Sequence, residues 1–153
     1  MKASHIIFKI VTPERLVFQE TVDAVVLPTA EGEITILPHH IPLVTLLKAG
    51  VVRIKKGSEE TPLAVSGGVI EVDGTTVTVL ADTAERASEL EEEKIEKARE
   101  AAQALMAERR GDAEGFAEAQ AMLERELARL KVARMHRRGT HMPGIPLDGD
   151  RTI

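Results

Sequence analysis

The chain has 153 residues and a formal charge of −5, from 20 basic and 25 acidic side chains, which suits one compact domain or a small domain with an appendage. It contains no Cys, so disulfides, thiol catalysis and zinc–thiolate sites are excluded, as fits a reducing compartment. With no Trp or Tyr and only 2% aromatic residues, it lacks both the stacking rings and the basic footprint of a nucleic-acid reader.

The opening MKASHIIFKIVTPE has neither the apolar core nor the cleavage site of a signal peptide. No apolar run reaches the ~18 residues of a membrane span. From Ile6 to Ala81 short runs rich in Val, Ile and Thr follow one another: HIIFKIV, RLVF, VDAVVLP, EITIL, VVRIK, PLAVS, GVIEV and TTVTVLA. Gly, Pro and Asp punctuate them. In the last run Val77, Val79 and Ala81 share one side, Thr76, Thr78 and Leu80 the other. The spacing predicts an all-β sandwich, flattened, of about ten short strands, with connections too short for βαβ crossovers. Gly67 and Gly68 are expected to turn the chain between PLAVS and VIEV.

Within the sandwich, EGEITILPHHIP sets His39 and His40 between Pro38 and Pro42. Adjacent histidines on an extended chain point apart, and no metal-ligand spacing surrounds them. Two prolines and Gly32 suit a rigid contact loop better. Ser66 lacks the flanking glycines of a nucleophile elbow, and no P-loop is present. Catalysis is not expected.

After Asp82 the pattern becomes helical. TAERASELEEEKIEKAREAAQALMAERR has no Gly or Pro. Asp82 or Thr83 is the expected cap, and Ala87, Glu91, Ile95, Ala98, Ala102 and Leu105 trace a small-residue stripe. RGDAEG marks a turn. Phe116, Ala119, Leu123, Leu127, Leu130 and Ala133 then recur at helical spacing, up to a stop at Gly139. The predicted organisation is a sandwich over 1–84, an antiparallel two-helix hairpin over 85–138 and a disordered tail over 139–153. From Glu124 to Arg138 there are six basic and two acidic residues. That basic tip suits an acidic partner surface, or simply places cations at the helix C-terminus. Arg125 and Arg129 share a helix face. With Glu91 and Lys94 of the first helix they suit a phosphate-bearing ligand, or ion pairs within the hairpin.

The segments EGEITILPHHIP, LLKAGVVRI, SGGVIEV and VTVLADTAE occur in an order and spacing that resemble the epsilon subunit of bacterial and chloroplast F-type ATP synthase. The likeness spans residues 4 to 138. It implies a non-catalytic piece of the rotor stalk, peripheral to the cytoplasmic face of the bacterial plasma membrane. The implied partners are the gamma subunit, the ring of membrane c subunits and, when the hairpin extends, the catalytic beta and alpha subunits. Glu31, Glu33 and His40 are the implied c-ring contacts. Arg134, Arg137 and Arg138 are expected to meet acidic residues of beta and restrain ATP hydrolysis. The family usually has Gly where Thr35 and His39 stand here. Some members bind ATP through a first-helix signature of Ile or Leu, Asp, two variable residues, Arg and Ala. Here Leu90 matches, but Glu91, Lys94 and Ile95 depart, while Arg125 and Arg129 match the second-helix arginines. Weak ATP binding or none is expected. The alternative is a stand-alone ATP-sensing protein on the same fold.

Overall fold

The computed structural model describes residues 5 to 140. The tail expected beyond them, with His141, lies outside the described residues. Eight strands precede the helices: β1 (Ile6–Val11), β2 (Leu16–Val22), β3 (Ala24–Thr29), β4 (Gly32–Ile36), β5 (Leu43–Leu47), β6 (Gly50–Lys56), β7 (Glu59–Asp73) and β8 (Thr76–Arg86). A 3₁₀ turn over Ala87–Glu89 leads to α1 (Glu92–Glu108) and α2 (Ala113–Thr140).

The strand order is β2-β1-β8-β7-β5-β3-β4, with β6 joining β3 to β7. All pairs are antiparallel except β1 with β8, which runs parallel. β7 serves both layers of the sandwich. Its first half pairs with β6 and its second half with β5, while β8 accompanies it from Leu63 to Asp73. The expected turn at Gly67 and Gly68 is therefore a bend inside one long strand. Both glycines have positive φ, 41° and 142°. A Cβ on Gly68 would lie 2.0 Å from the Leu80 carbonyl oxygen, so the two strands can cross from one layer to the other only with glycine there.

Inward-facing residues form the core. Phe8, Ile10, Val25, Leu27, Val52, Leu63, Ile70 and Val79 are fully buried. Val77, Val79 and Ala81 point inward and Leu80 outward, as the alternation predicts. Phe8 and Phe18 stack tilted at 5.8 Å, and the Arg86 guanidinium lies 5.7 Å from the Phe18 ring centre.

The helical region starts later than its composition suggests. Asp82 and Thr83, expected as caps, lie in β8, where the Thr83 hydroxyl bonds that of Ser66. α1 begins at Glu92 after Glu91, which caps nothing through its side chain. Glu92 and Glu93 in its first turn favour the positive end of the helix dipole. Ile95 and Ala102 of the expected stripe are buried, but Ala87 belongs to the 3₁₀ turn and Glu91 is exposed. α2 runs on through Gly139 to Thr140 rather than stopping there.

α2 is the helix laid on the sandwich, against β6 and β7, and α1 packs on α2. Val132 sits with Val51, Ala64, Ala87, Leu90 and Met135 at the joint.

Candidate functional sites

Three places could meet other molecules: the loop before β5, the outer face of the larger sheet layer, and the hairpin with its joint to the sandwich.

The loop is built by a turn. The His40 N–H donates to the Leu37 carbonyl at 3.2 Å. Pro38 holds the second position, and His39 the third with φ 67°, the arrangement of a type II turn. That third position calls for left-handed backbone, which explains why Gly would suit it. The His40 ring is tied back through Nδ1 to the Ile41 carbonyl at 2.7 Å. Leu37 and Ile41 are 56% and 75% exposed, so the tip displays apolar side chains. Glu33 lies on β4, where Arg53 of β6 donates to both its carboxylate oxygens at 3.3 Å. Glu31 is exposed in the β3–β4 turn, its N–H bonded to the Thr29 hydroxyl. His5, a conceivable third ligand for the two histidines, pairs with Asp23 instead, at 2.9 Å. Asp23 also accepts the Gly57 N–H at 2.6 Å. That backbone bond, then His5, holds the Asp23 carboxyl below the usual range. Among the described residues no group of three His, Asp or Glu approaches metal geometry.

Sequence reasoning missed the second place. Ladder partners carry one apolar row across five strands: Leu46 of β5 opposes Val69, Val69 opposes Leu80, Leu80 opposes Val11, and Val11 opposes Leu16. Leu46, Leu80 and Leu16 are 64%, 53% and 51% exposed. Val44, two residues before Leu46 on the same side, is 71% exposed. Contiguous exposed apolar surface marks an interaction site. The signal was present in LVTLL, a strand hidden among the loop residues around it.

The hairpin separates the four residues considered for a phosphate ligand. Glu91 pairs with Lys94 at 2.9 Å, both well exposed. Arg129 faces the sandwich and donates to Glu85 at 3.0 Å and to Glu126 at 2.9 Å. Burial alone would lower its pKa, but these two carboxylates outweigh it and raise the pKa. Arg125 lines a cleft of about 280 Å³ at the joint, together with Arg15 and the acids Glu14, Asp82, Glu85 and Glu89. Glu89 accepts the Arg86 N–H and pairs with Arg15, and those bonds hold its carboxyl below the usual range. Of the basic tip, Arg134 donates to Glu92 and Glu96, and Arg137 to Glu92. Arg138 is exposed. Two of the three tip arginines are thus engaged by α1 while the hairpin is closed.

Residues 5–87 match the family described as ATP synthase, Delta/Epsilon chain, beta-sandwich domain. The chain is 50% identical over 129 residues to the ATP synthase epsilon chain of Dehalococcoides mccartyi, covering 84% of this chain and 92% of that one. It is 46% identical over 131 residues to the epsilon chain of Syntrophobacter fumaroxidans, covering 86% and 97%. Its fold resembles a chain in the Euglena gracilis mitochondrial ATP synthase at a TM-score of 0.70 and 24% identity, covering 91% of this chain and 83% of that one.

Proposed function

The chain belongs to the ATP synthase delta/epsilon family, and from that premise we propose that its sandwich ties the gamma subunit to the ring of c subunits while its hairpin restrains ATP hydrolysis. Its role is that of a non-catalytic, central-stalk component. Among the described residues no helix is long and apolar enough to cross a membrane. Our reading has the chain meet the membrane through the complex, on its cytoplasmic face.

The observation that carries this reading is the apolar row from Leu46 to Leu16. An isolated globular domain gains nothing from exposing it, whereas a permanent partner would bury it. We assign gamma to this face. We assign to the c ring the Glu31 turn with Glu33 at the start of β4, and the His40 loop with its apolar tip Leu37 and Ile41 that follows the end of β4. Rigid strands on one closed core suit torque transmission because such a core deforms little. In the extended state, Arg134 and Arg137 would exchange their α1 partners for acids on beta, and Arg138 would join them there.

Leu46→Asp combined with Leu80→Asp tests the assignment. Both side chains are exposed, so the variant is expected to keep its circular dichroism and unfolding midpoint. Recovery of gamma in a pull-down is expected to fall at least tenfold. Undiminished recovery would move gamma to another face.

ATP is at most a weak ligand. The stand-alone sensor needs Glu91, Lys94, Arg125 and Arg129 to act together. Instead Glu91 and Lys94 pair with each other, and Arg129 is held by Glu85 and Glu126. The cleft beside Arg125 carries four carboxylates, which repel a triphosphate.

A further inference from the structure

Glu33 does not stand alone on β4. Residues opposite one another in a ladder share a face of the sheet. Val26 of β3 opposes both Thr35 of β4 and Arg53 of β6, and Arg53 opposes Pro62 of β7. Glu33, two residues before Thr35, is therefore on the same outer face as Arg53, with β3 between them. The Arg53 guanidinium spans that strand and donates through one nitrogen to both Glu33 oxygens at 3.3 Å. A second nitrogen faces Glu60 of β7 at 4.0 Å. Acid, base and acid thus form one row over β4, β6 and β7, and Arg53 is held from both sides. Its side chain is 33% exposed, against 57% for that of Glu33.

This arrangement does not use Glu33 up. Two carboxylates around one guanidinium leave the row negative, and each carboxylate oxygen keeps a second lone pair for an outside donor. What Arg53 removes is freedom. A Glu side chain loses rotamer entropy when a partner fixes it, and a residue that fixes it beforehand takes that cost out of binding. Glu31 gives the contrast: it is exposed in the adjoining turn and held by no ion pair among the described residues.

We propose that Arg53 is a positioning residue for the ring contact, holding the Glu33 carboxylate in its binding orientation without touching the ring itself. The inference rests on the assignment of Glu33 to the c ring. It adds a residue from another strand whose effect on the ring runs only through Glu33.

The test is the affinity of the full chain, bound to gamma, for an immobilised c ring. Glu33→Gln is expected to weaken binding about tenfold or more. Arg53→Gln is expected to weaken it about two- to tenfold, the cost of immobilising one long side chain. Arg53→Lys keeps the charge without the planar fork and is expected to lose less. In the Glu33→Gln background, Arg53→Gln is expected to cost nothing further, whereas beside Glu31→Gln its effect is expected to persist in full. Circular dichroism and the unfolding midpoint are expected to stay at the wild-type values, since ion pairs this exposed add little to stability. Should Arg53→Gln lower the midpoint, Arg53→Lys with and without Glu33→Gln makes the same comparison. Wild-type affinity in Arg53→Gln, or an equal loss with and without Glu33, would overturn the proposal and leave the ring assignment standing. Unchanged affinity in Glu33→Gln would instead withdraw the ring from Glu33, and the proposal with it.

Discussion

His39 carries a conformation that its side chain opposes. Its φ of 67° costs an L-residue about 1–2 kcal/mol in the left-handed region, less for His than for bulkier types. Glycine would remove that strain but lose about 0.5–1 kcal/mol through the greater freedom of its unfolded chain. The strain term is the larger. His39→Gly is therefore expected to stabilise the sandwich by up to about 1 kcal/mol, read as a rise in the denaturant midpoint at unchanged slope. A fall in midpoint would mean that the His39 side chain makes a contribution its exposed position does not suggest. His40 is the contrasting neighbour. Its ring bonds the backbone at Ile41, so it shapes the loop as well as decorating it.

At the scale of elements, α2 is informative because it has two partners. Ala128 and Val132 are buried on the side of the sandwich joint, and Glu126 and Leu130 are buried as well. Of the single stripe read from periodicity, Ala119 and Leu130 are buried, but Leu127 is 46% exposed. A helix wedged between another helix and a sheet buries more than one face, so no one face dominates its pattern. Val132→Ala removes two methyl groups from the joint and is expected to cost about 1–2 kcal/mol. The loss should appear as faster amide exchange in α1 and α2 with β1 and β3 unchanged; equal loosening of all four would show one cooperative unit. The alternating strands were legible because burial follows a period of two. The short strand β5 and the unbroken β7 were not, since Pro42 directly precedes the first and two glycines interrupt the second. The start of α1 was hidden for another reason. Residues 82 to 91 are good helix formers, yet Ala84 pairs with Val65 and Thr83 with Ser66, and ladder pairing overrides propensity. The turn between Pro38 and Pro42 was legible from its prolines, whereas the apolar row needed the register of five strands. The phosphate candidates stand apart in the closed hairpin, where Glu91 pairs with Lys94 and Glu85, outside the helices, holds Arg129.

For the whole molecule, the question is how firmly the hairpin is held. The sandwich has a continuous core of Phe, Ile, Leu and Val from every strand. The joint has one small cluster around Val132, the Arg129–Glu85 pair and the Arg15–Glu89 pair. Regions with fewer buried contacts open first, which suits an arm that must leave its seat. The joint is also acid-sensitive. Glu89 has a folded pKa depressed first by the Arg86 N–H and then by Arg15. A depressed carboxyl adds stability that is complete above its unfolded pKa of about 4.3 and is lost as pH falls through the lower folded value. Asp23 is depressed too, but it sits with His5 and Gly57 on the sandwich, so its protonation loosens that end and not the joint. Lowering the pH from 6 towards 3 is therefore expected to raise proteolytic cleavage between Ala87 and Glu92 before the sandwich unfolds. Glu89→Gln is expected to show raised cleavage already at pH 6 and a flatter dependence below it, while Asp23→Asn retains the wild-type profile at this site. Loss of the pH dependence in Asp23→Asn, with Glu89→Gln unchanged from wild type, would place the acid-sensitive contact in the sandwich and leave the hairpin held by packing alone.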